Sequence, residues 1–200
     1  AIICIGSRTI TSFGMAARRS AATISICLQV DDGQCGTSGE IMSLRIRNMQ
    51  FLEWSGIELE LEAGQAVSLL GESGSGKSLL LRAIADLICN DGTLELDDRE
   101  RASFSPQEWR RAVGYLPAEI FWWEASVGAH FEHLPTEIEL KRLRLSLESL
   151  DWAPSRLSMG ERQRLGILRM LDRKPSVLLL DEPTANLDDE ISSVVESLIL

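Results

Sequence analysis

The chain has 200 residues, 44% hydrophobic and 25% charged, which is long enough to bury a core and too apolar to stay disordered. Its 30 Asp and Glu outnumber 20 Lys and Arg, and the net charge of −10 argues against a nucleic-acid surface, which needs a basic face. No apolar run reaches the ~18 residues of a membrane-spanning helix, and four cysteines with no C-x-x-C pair read as free thiols of a reducing compartment.

Residues 1–41 are rich in Ser, Thr, Gly and Ala and hold no helix or strand period. They are expected to be a disordered or extraneous segment without fixed structure, with Met42 as the native start and one folded domain over 42–200. From Leu44 to Glu62 polarity alternates, through Leu44, Ile46, Ile57, Leu59 and Leu61, which predicts antiparallel strands with one wet face. Ala66–Leu70 is a short apolar run of the kind expected for a buried parallel strand.

Residues 71–78 complete a G-x-x-x-x-G-K-[ST] phosphate-binding loop. Its glycines let backbone amides turn inward onto phosphate oxygens, Lys77 is placed to reach the outer phosphates, and Ser78 can put its hydroxyl on Mg²⁺. The candidate nucleotide-binding set is Gly71, Glu72, Ser73, Gly74, Ser75, Gly76, Lys77, Ser78 and Leu79. An apolar helix over Leu79–Ile88 follows, its positive end aimed at the same anion, and Asn90-Asp91-Gly92 supplies a stop.

Ser105-Pro106-Gln107-Glu108 is a capping box with Pro at the first helical position, opening a helix through Arg111. Val113–Leu116 reads as a strand. Phe121, Trp122 and Trp123 follow it, as an exposed docking patch or as core. His130 and His133 flank Glu132, but no further ligands stand at fitting positions, so a metal is not expected there. Leu140, Leu143, Leu147 and Leu150 predict one amphipathic helix, with Glu137 and Lys141 paired on its wet side.

Residues 157–164 read Leu-Ser-Met-Gly-Glu-Arg-Gln-Arg ahead of a helical stretch from Leu165 to Leu171. The basic residues Arg162, Arg164, Arg169, Arg173 and Lys174 read as a solvated helix face. Val177–Leu180 is a second buried-strand run, ending in Asp181-Glu182-Pro183. A carboxylate at the end of such a strand sits beside the phosphate loop in a nucleotide-binding sheet. Asp181 is the candidate Mg²⁺ ligand, and Glu182 the candidate to orient or deprotonate an attacking water. Thr184-Ala185-Asn186-Leu187-Asp188 leads into a last helix, with Ile191, Val194, Val195 and Leu198 on one face.

The ordered set of phosphate loop, Leu157–Arg164, acidic strand end and Asn186-Leu187-Asp188 resembles the ATP-binding cassette ATPases, the motor subunits of ABC transporters, over roughly residues 42 to 200. The family signature is Leu-Ser-Gly-Gly-Gln. Here Met159 and Glu161 replace its third and fifth residues, and Ser158 and Gly160 are kept. The resemblance implies an α/β fold, a P-loop NTPase of ABC type. It has a mixed central sheet flanked by helices, a small antiparallel β subdomain and a compact helical subdomain at about 119–157. The family's next strand and its switch histidine would fall after Leu200, so the chain is expected to be C-terminally truncated.

The resemblance further implies ATP and Mg²⁺ as ligands, with ATP sandwiched between the phosphate loop of one subunit and the signature of another. Lys77 and Glu182 would then be catalytic, and Ser78 and Asp181 would hold the metal. Ser158, Gly160, Glu161 and Asp188 would contact the partner's nucleotide. The aromatic that stacks on adenine in the family would be Phe51 or Trp54, with Trp54 preferred, although core packing is the ordinary role of either ring. The implied partners are a second ABC ATPase subunit, as a homodimer, and an integral membrane permease, on the cytoplasmic face of the inner membrane, with no nucleic acid. Family members carry a glutamine where Ala118 stands, with Glu119 as a possible substitute. The alternatives are a soluble ABC ATPase of DNA repair or translation, and a nucleotide-binding module with little turnover.

Overall fold

The computed structural model describes residues 43–199 and, as backbone alone, the strands β1 (Ile2–Ile5), β2 (Ala16–Arg19) and β3 (Ala22–Cys27). The other strands are β4 (Ser43–Phe51), β5 (Trp54–Glu62), β6 (Ala66–Leu70), β7 (Asp91–Leu96), β8 (Arg99–Glu100), β9 (Val113–Leu116) and β10 (Val177–Leu180). Among the described residues they form one sheet in the order β8-β7-β4-β5-β2-β3-β6-β1-β10-β9.

One end of the sheet is antiparallel, as the alternation predicted: β4 pairs with β5 and with β7. Leu44, Ile46, Met49 and Phe51 of β4 are all buried, although Ile46 and Met49 are three residues apart. A register shift between them, at Asn48 with φ +46, absorbs the odd residue and returns Met49 to the core face. The other end is parallel, β10 beside β9. All four residues of β10 are buried. Val177 and Leu179 enter one apolar cluster, with Leu80, Leu81, Ile84 and Trp109. Leu178 and Leu180 enter a second, with Leu140, Leu165, Ile167 and Ile191. Two-residue periodicity thus sets β10 as the wall between two cores, and its C-terminal end is fixed from both sides.

Two expectations change here. β6 was expected to run parallel to its neighbours, yet it is antiparallel to both β1 and β3. Its apolarity reports burial on two faces, which either direction satisfies. Residues 1–41 were expected to lack fixed structure, whereas the backbone of β1 lies between β6 and β10, satisfying the ladder groups of both. The backbones of β2 and β3 also pair within the sheet, β2 with β3 and β5, and β3 with β6, and the remainder of that segment lies outside the described residues.

Five helices of the described residues flank the sheet: α1 (Lys77–Ile84), α2 (Pro106–Ala112), α3 (Glu137–Arg142), α4 (Met159–Asp172) and α5 (Asp189–Ile199). α1 is shorter than its apolar run suggested. Asp86 turns left-handed at φ +57, and the Asn90 side chain donates to the carbonyls of Ala83 in the last turn (3.0 Å) and Ile88 beyond it (3.1 Å), tying the helix end to the chain that leaves it. α2 begins with the expected capping box, and its buried Trp109 donates Nε1 to the Ile84 carbonyl of α1 at 2.9 Å. The leucine stripe does not form one helix. α3 stops at Arg142, Arg144 is left-handed at φ +52, and Leu147–Asp151 winds as a 3-10 turn capped by Ser146. Leu140, Leu143 and Leu150 are buried and Leu147 is exposed, while the Glu137–Lys141 pair forms at 2.7 Å. Trp122 packs against the second core and Trp123 is exposed, with the Arg169 guanidinium over both rings.

Candidate functional site

The phosphate loop lies between the end of β6 and the start of α1. Gly71 to Gly74 are exposed, and the loop tightens into the helix at Gly76, whose φ of +90 a side chain would resist. Space forbids one as well, because a Cβ at Gly76 would lie 2.9 Å from Cζ2 of Trp54. Lys77 folds back over the loop, donating Nζ to the carbonyls of Gly71 (2.7 Å) and Glu72 (2.8 Å) and to Ser75 Oγ (3.3 Å). The ammonium is thereby held at the mouth of the loop. Ser78 and Leu79, in the first turn of α1, are half-buried.

Trp54 does not present a stacking face. It is 2% exposed, stacks on Phe51 with centroids 6.4 Å apart, and forms the floor beneath Gly76. The assignment of Trp54 to adenine is therefore corrected: a ring buried in the first core cannot meet a base without leaving it.

Asp181 sits at the end of β10, 3% exposed, its amide donating to the Leu116 carbonyl of β9 at 2.9 Å. Tyr115 of β9 points its hydroxyl at Asp181 Oδ2 (3.4 Å), and Arg82 of α1 donates Nε to the same hydroxyl (3.4 Å). Burial raises the Tyr115 pKa, so the phenol stays protonated and donates to the carboxylate. The phosphate-loop helix and the acidic strand end are thus joined through Arg82, Tyr115 and Asp181. Sequence reasoning missed Tyr115 and Arg82; the available signal was Tyr115, next to the last residue of a strand that parallels β10. Ser78 and Asp181 offer a hydroxyl and a carboxylate, hard oxygen donors that suit Mg²⁺, an ion that keeps water and phosphate oxygens for its remaining positions. No cluster of three or more His, Cys, Asp or Glu suited to a metal occurs among the described residues. His130 instead accepts from the amides of Trp123 and Glu124 at Nε2, both at 2.9 Å, and His133 pairs with Asp172.

Glu182 is exposed directly after Asp181, with left-handed backbone at φ +50. Pro183 is buried, and Gln163 of α4, 3% exposed, donates Nε2 to its carbonyl at 3.2 Å. Ala118 and Glu119, beyond the end of β9, are both exposed.

Ser158, Gly160 and Glu161 gather at the start of α4. Ser158 Oγ accepts from the Glu161 amide (3.3 Å), while the Ser158 amide (2.8 Å) and hydroxyl (2.7 Å) both donate to Glu161 Oε2. These bonds hold the Glu161 pKa below the ordinary carboxylate value. A Cβ at Gly160 would lie 3.2 Å from the Asn186 carbonyl, so the small residue lets α4 close onto the 186–188 loop. Asp188 caps α5, accepting from the Ile191 amide at Oδ1 (2.8 Å). The Ser-x-x-Glu signal of the α4 cap, Ser158 to Glu161, is legible in the sequence, and Gln163 stands two residues beyond it.

A family model described as ABC transporter matches residues 54–185. The arginine transport ATP-binding protein ArtP of Haemophilus influenzae is 36% identical over 186 residues, covering 79% of this chain and 76% of that protein. The sulfate/thiosulfate import ATP-binding protein cysA of Cucumis sativus is 35% identical, covering 75% of this chain and 49% of the other. The lipoprotein-releasing system ATP-binding protein LolD 1 of Rhodopirellula baltica is 32% identical, covering 72% and 71%. Among solved structures, a bacterial Atm1-family ABC exporter with ATP bound superposes with a TM-score of 0.65 at 24% identity, over 78% of this chain and 32% of that one, a likeness of fold. The chain thus spans from 49% to 76% of the length of these curated relatives.

Proposed function

The chain belongs to the ABC transporter family, and from that premise we propose that it is the ATP-binding and ATP-hydrolysing subunit of a transport system, acting as a dimer around two ATP molecules to drive a separate membrane permease. No helix of the described residues is long and apolar enough to cross a membrane. Attachment to the cytoplasmic face of the membrane would run through the permease.

The observation that carries this reading is the link from the phosphate-loop helix to the acidic strand end, Arg82 to Tyr115 to Asp181. It ties the element that binds phosphate to the element that bears the metal-binding carboxylate. In the reading, the amides of Gly71–Ser78 and the start of α1 bind the phosphates, and Lys77 leaves its loop carbonyls for the outer phosphate oxygens. Ser78 and Asp181 would hold Mg²⁺, which would supply positive charge to offset the negative charge of the phosphates. Glu182 orients a water and takes its proton as the oxygen bonds to the terminal phosphorus, with ADP leaving. Ser158 and Gly160 of the second subunit complete the oxygen shell of that phosphate, where developing charge is stabilised by a hydroxyl and a helix N-terminus.

The test is ATP turnover by the full-length protein beside Glu182→Gln. Turnover that disappears in the variant supports the motor; ATP binding with equal, negligible turnover in both supports a nucleotide-responsive module. That second reading is favoured by Ala118, an exposed methyl where the resembling family places a glutamine.

A further inference from the structure

Glu182 is a non-glycine residue in left-handed backbone, at φ +50. Such a conformation costs of the order of 1–3 kcal/mol and persists only where its surroundings hold it. The carbonyl of Glu182 accepts from Ala185 (3.3 Å), a long bond that closes a turn on its C-terminal side. Asp181 on the other side is fixed by the ladder to Leu116. What remains is Pro183, which is buried and lacks a backbone N–H, so its carbonyl is the one backbone group it offers as an anchor.

Gln163 supplies that anchor. It is one of few polar side chains buried among the described residues, on a helix whose other buried side chains, Leu165, Ile167 and Leu168 among them, are apolar. Its amide spans a sequence separation of 20 to reach the Pro183 carbonyl. A buried polar group on such a face costs stability unless its bond is made, so the residue is best explained by what it holds. One turn earlier, Gly160 allows α4 to lie against the Asn186 carbonyl, so the same helix grips the segment at both ends of residues 183–186.

We propose that Gln163 is a positioning residue for Glu182, its buried amide holding the Pro183 carbonyl and so fixing the strained backbone from which the carboxylate projects. This rests on the reading of Glu182 as the group that activates water. Gln163 bonds the Pro183 carbonyl and acts by denying the 182–183 segment its relaxed conformations. A shift of about 1 Å in a reacting group can cost on the order of a hundredfold in rate, so one hydrogen bond suffices for a large kinetic effect.

The experiment compares the full-length wild type with Gln163→Met, which keeps length and burial but has no donor. Gln163→Asn keeps the amide a methylene short and stands in if the Met variant does not fold. Glu182→Gln and Leu168→Ala, a stability control on α4, complete the set. The expected result is a fall in kcat of about tenfold or more with KM and ATP affinity within about twofold, as for an interaction made only in the transition state. Leu168→Ala, with an equal or larger loss of Tm, keeps its kcat. A kcat unchanged by both Gln163 variants, or lowered equally by Leu168→Ala, overturns the proposal. Turnover sensitive to Glu182→Gln but indifferent to Gln163 removes the proposal and leaves the functional reading standing. Turnover absent from the wild type removes both.

Discussion

The phenol oxygen of Tyr115 lies 3.4 Å from Oδ2 of Asp181, across the parallel pair β9 and β10. Asp181 is almost fully buried, and a buried carboxylate without partners is costly. The hydroxyl therefore both shelters the carboxylate and sets its direction, and Arg82 fixes the hydroxyl in turn.

Tyr115→Phe removes that orientation and leaves the ring. The Mg²⁺ concentration that half-saturates ATP turnover is expected to rise several-fold, on the scale seen when groups orienting a metal ligand are lost. Metal-free ATP binding should stay unchanged. A magnesium titration of turnover, beside calorimetric binding in EDTA, checks both.

Gly76→Ala meets two obstacles at once, a left-handed φ of +90 and the Trp54 ring 2.9 Å from the new Cβ. The loop must open to admit it, and ATP affinity is expected to fall by about tenfold or more, given strain of about 1–3 kcal/mol. Equilibrium nucleotide binding measures the loss.

Trp54→Phe separates two roles for one ring. As a core residue beneath the loop, Trp54 should tolerate Phe with a modest loss of Tm and ATP affinity within about twofold, since aromatic replaces aromatic. An adenine platform would instead lose affinity with Tm unchanged. Thermal unfolding and binding on the same sample decide.

Three helices begin with a Ser or Thr whose bonds lower a glutamate's pKa: Glu108 by Ser105, Glu139 by Thr136 and Glu161 by Ser158. A carboxylate depressed in the folded state stabilises it above its unfolded pKa, and that contribution is lost as pH falls through the folded value. Tm is therefore expected to drop steeply below about pH 4.5, and the triple variant E108Q/E139Q/E161Q to show a shallower drop. Differential scanning calorimetry from pH 3 to 7 tests the slopes, in steps of about half a pH unit.

The sequence disclosed most where local chemistry decides structure. The glycine loop, the Ser105 capping box, the strand over Val113–Leu116 and the buried run of β10 each carry their signal within a few residues. It disclosed less where partners far along the chain decide. Trp54 shows an aromatic at a plausible position, but whether its ring faces a ligand or a core depends on Gly76 coming to rest above it, 22 residues later. The leucines from 140 to 150 hold helical spacing, and the left-handed turn at Arg144 breaks it without any glycine or proline to announce the break. Strand direction at β6 is likewise invisible to periodicity, because an alternation records faces and not neighbours. Gln163 was inconspicuous among polar residues of the same stretch until burial set it apart.

Ser158 and Gln163 lie five positions apart on α4, a rise of about 7.5 Å along one short rod. In the paired arrangement proposed above, the first of them meets the nucleotide of the neighbouring chain, while the second holds the Pro183 carbonyl beside the carboxylate serving its own. A tilt of the rod when its tip engages phosphate is then felt at the opposite site. Each site would report its occupancy to the other, and coupling of this kind is reciprocal by necessity. The outward sign would be a sigmoidal dependence of rate on ATP concentration, which Gln163→Met would flatten toward a hyperbola.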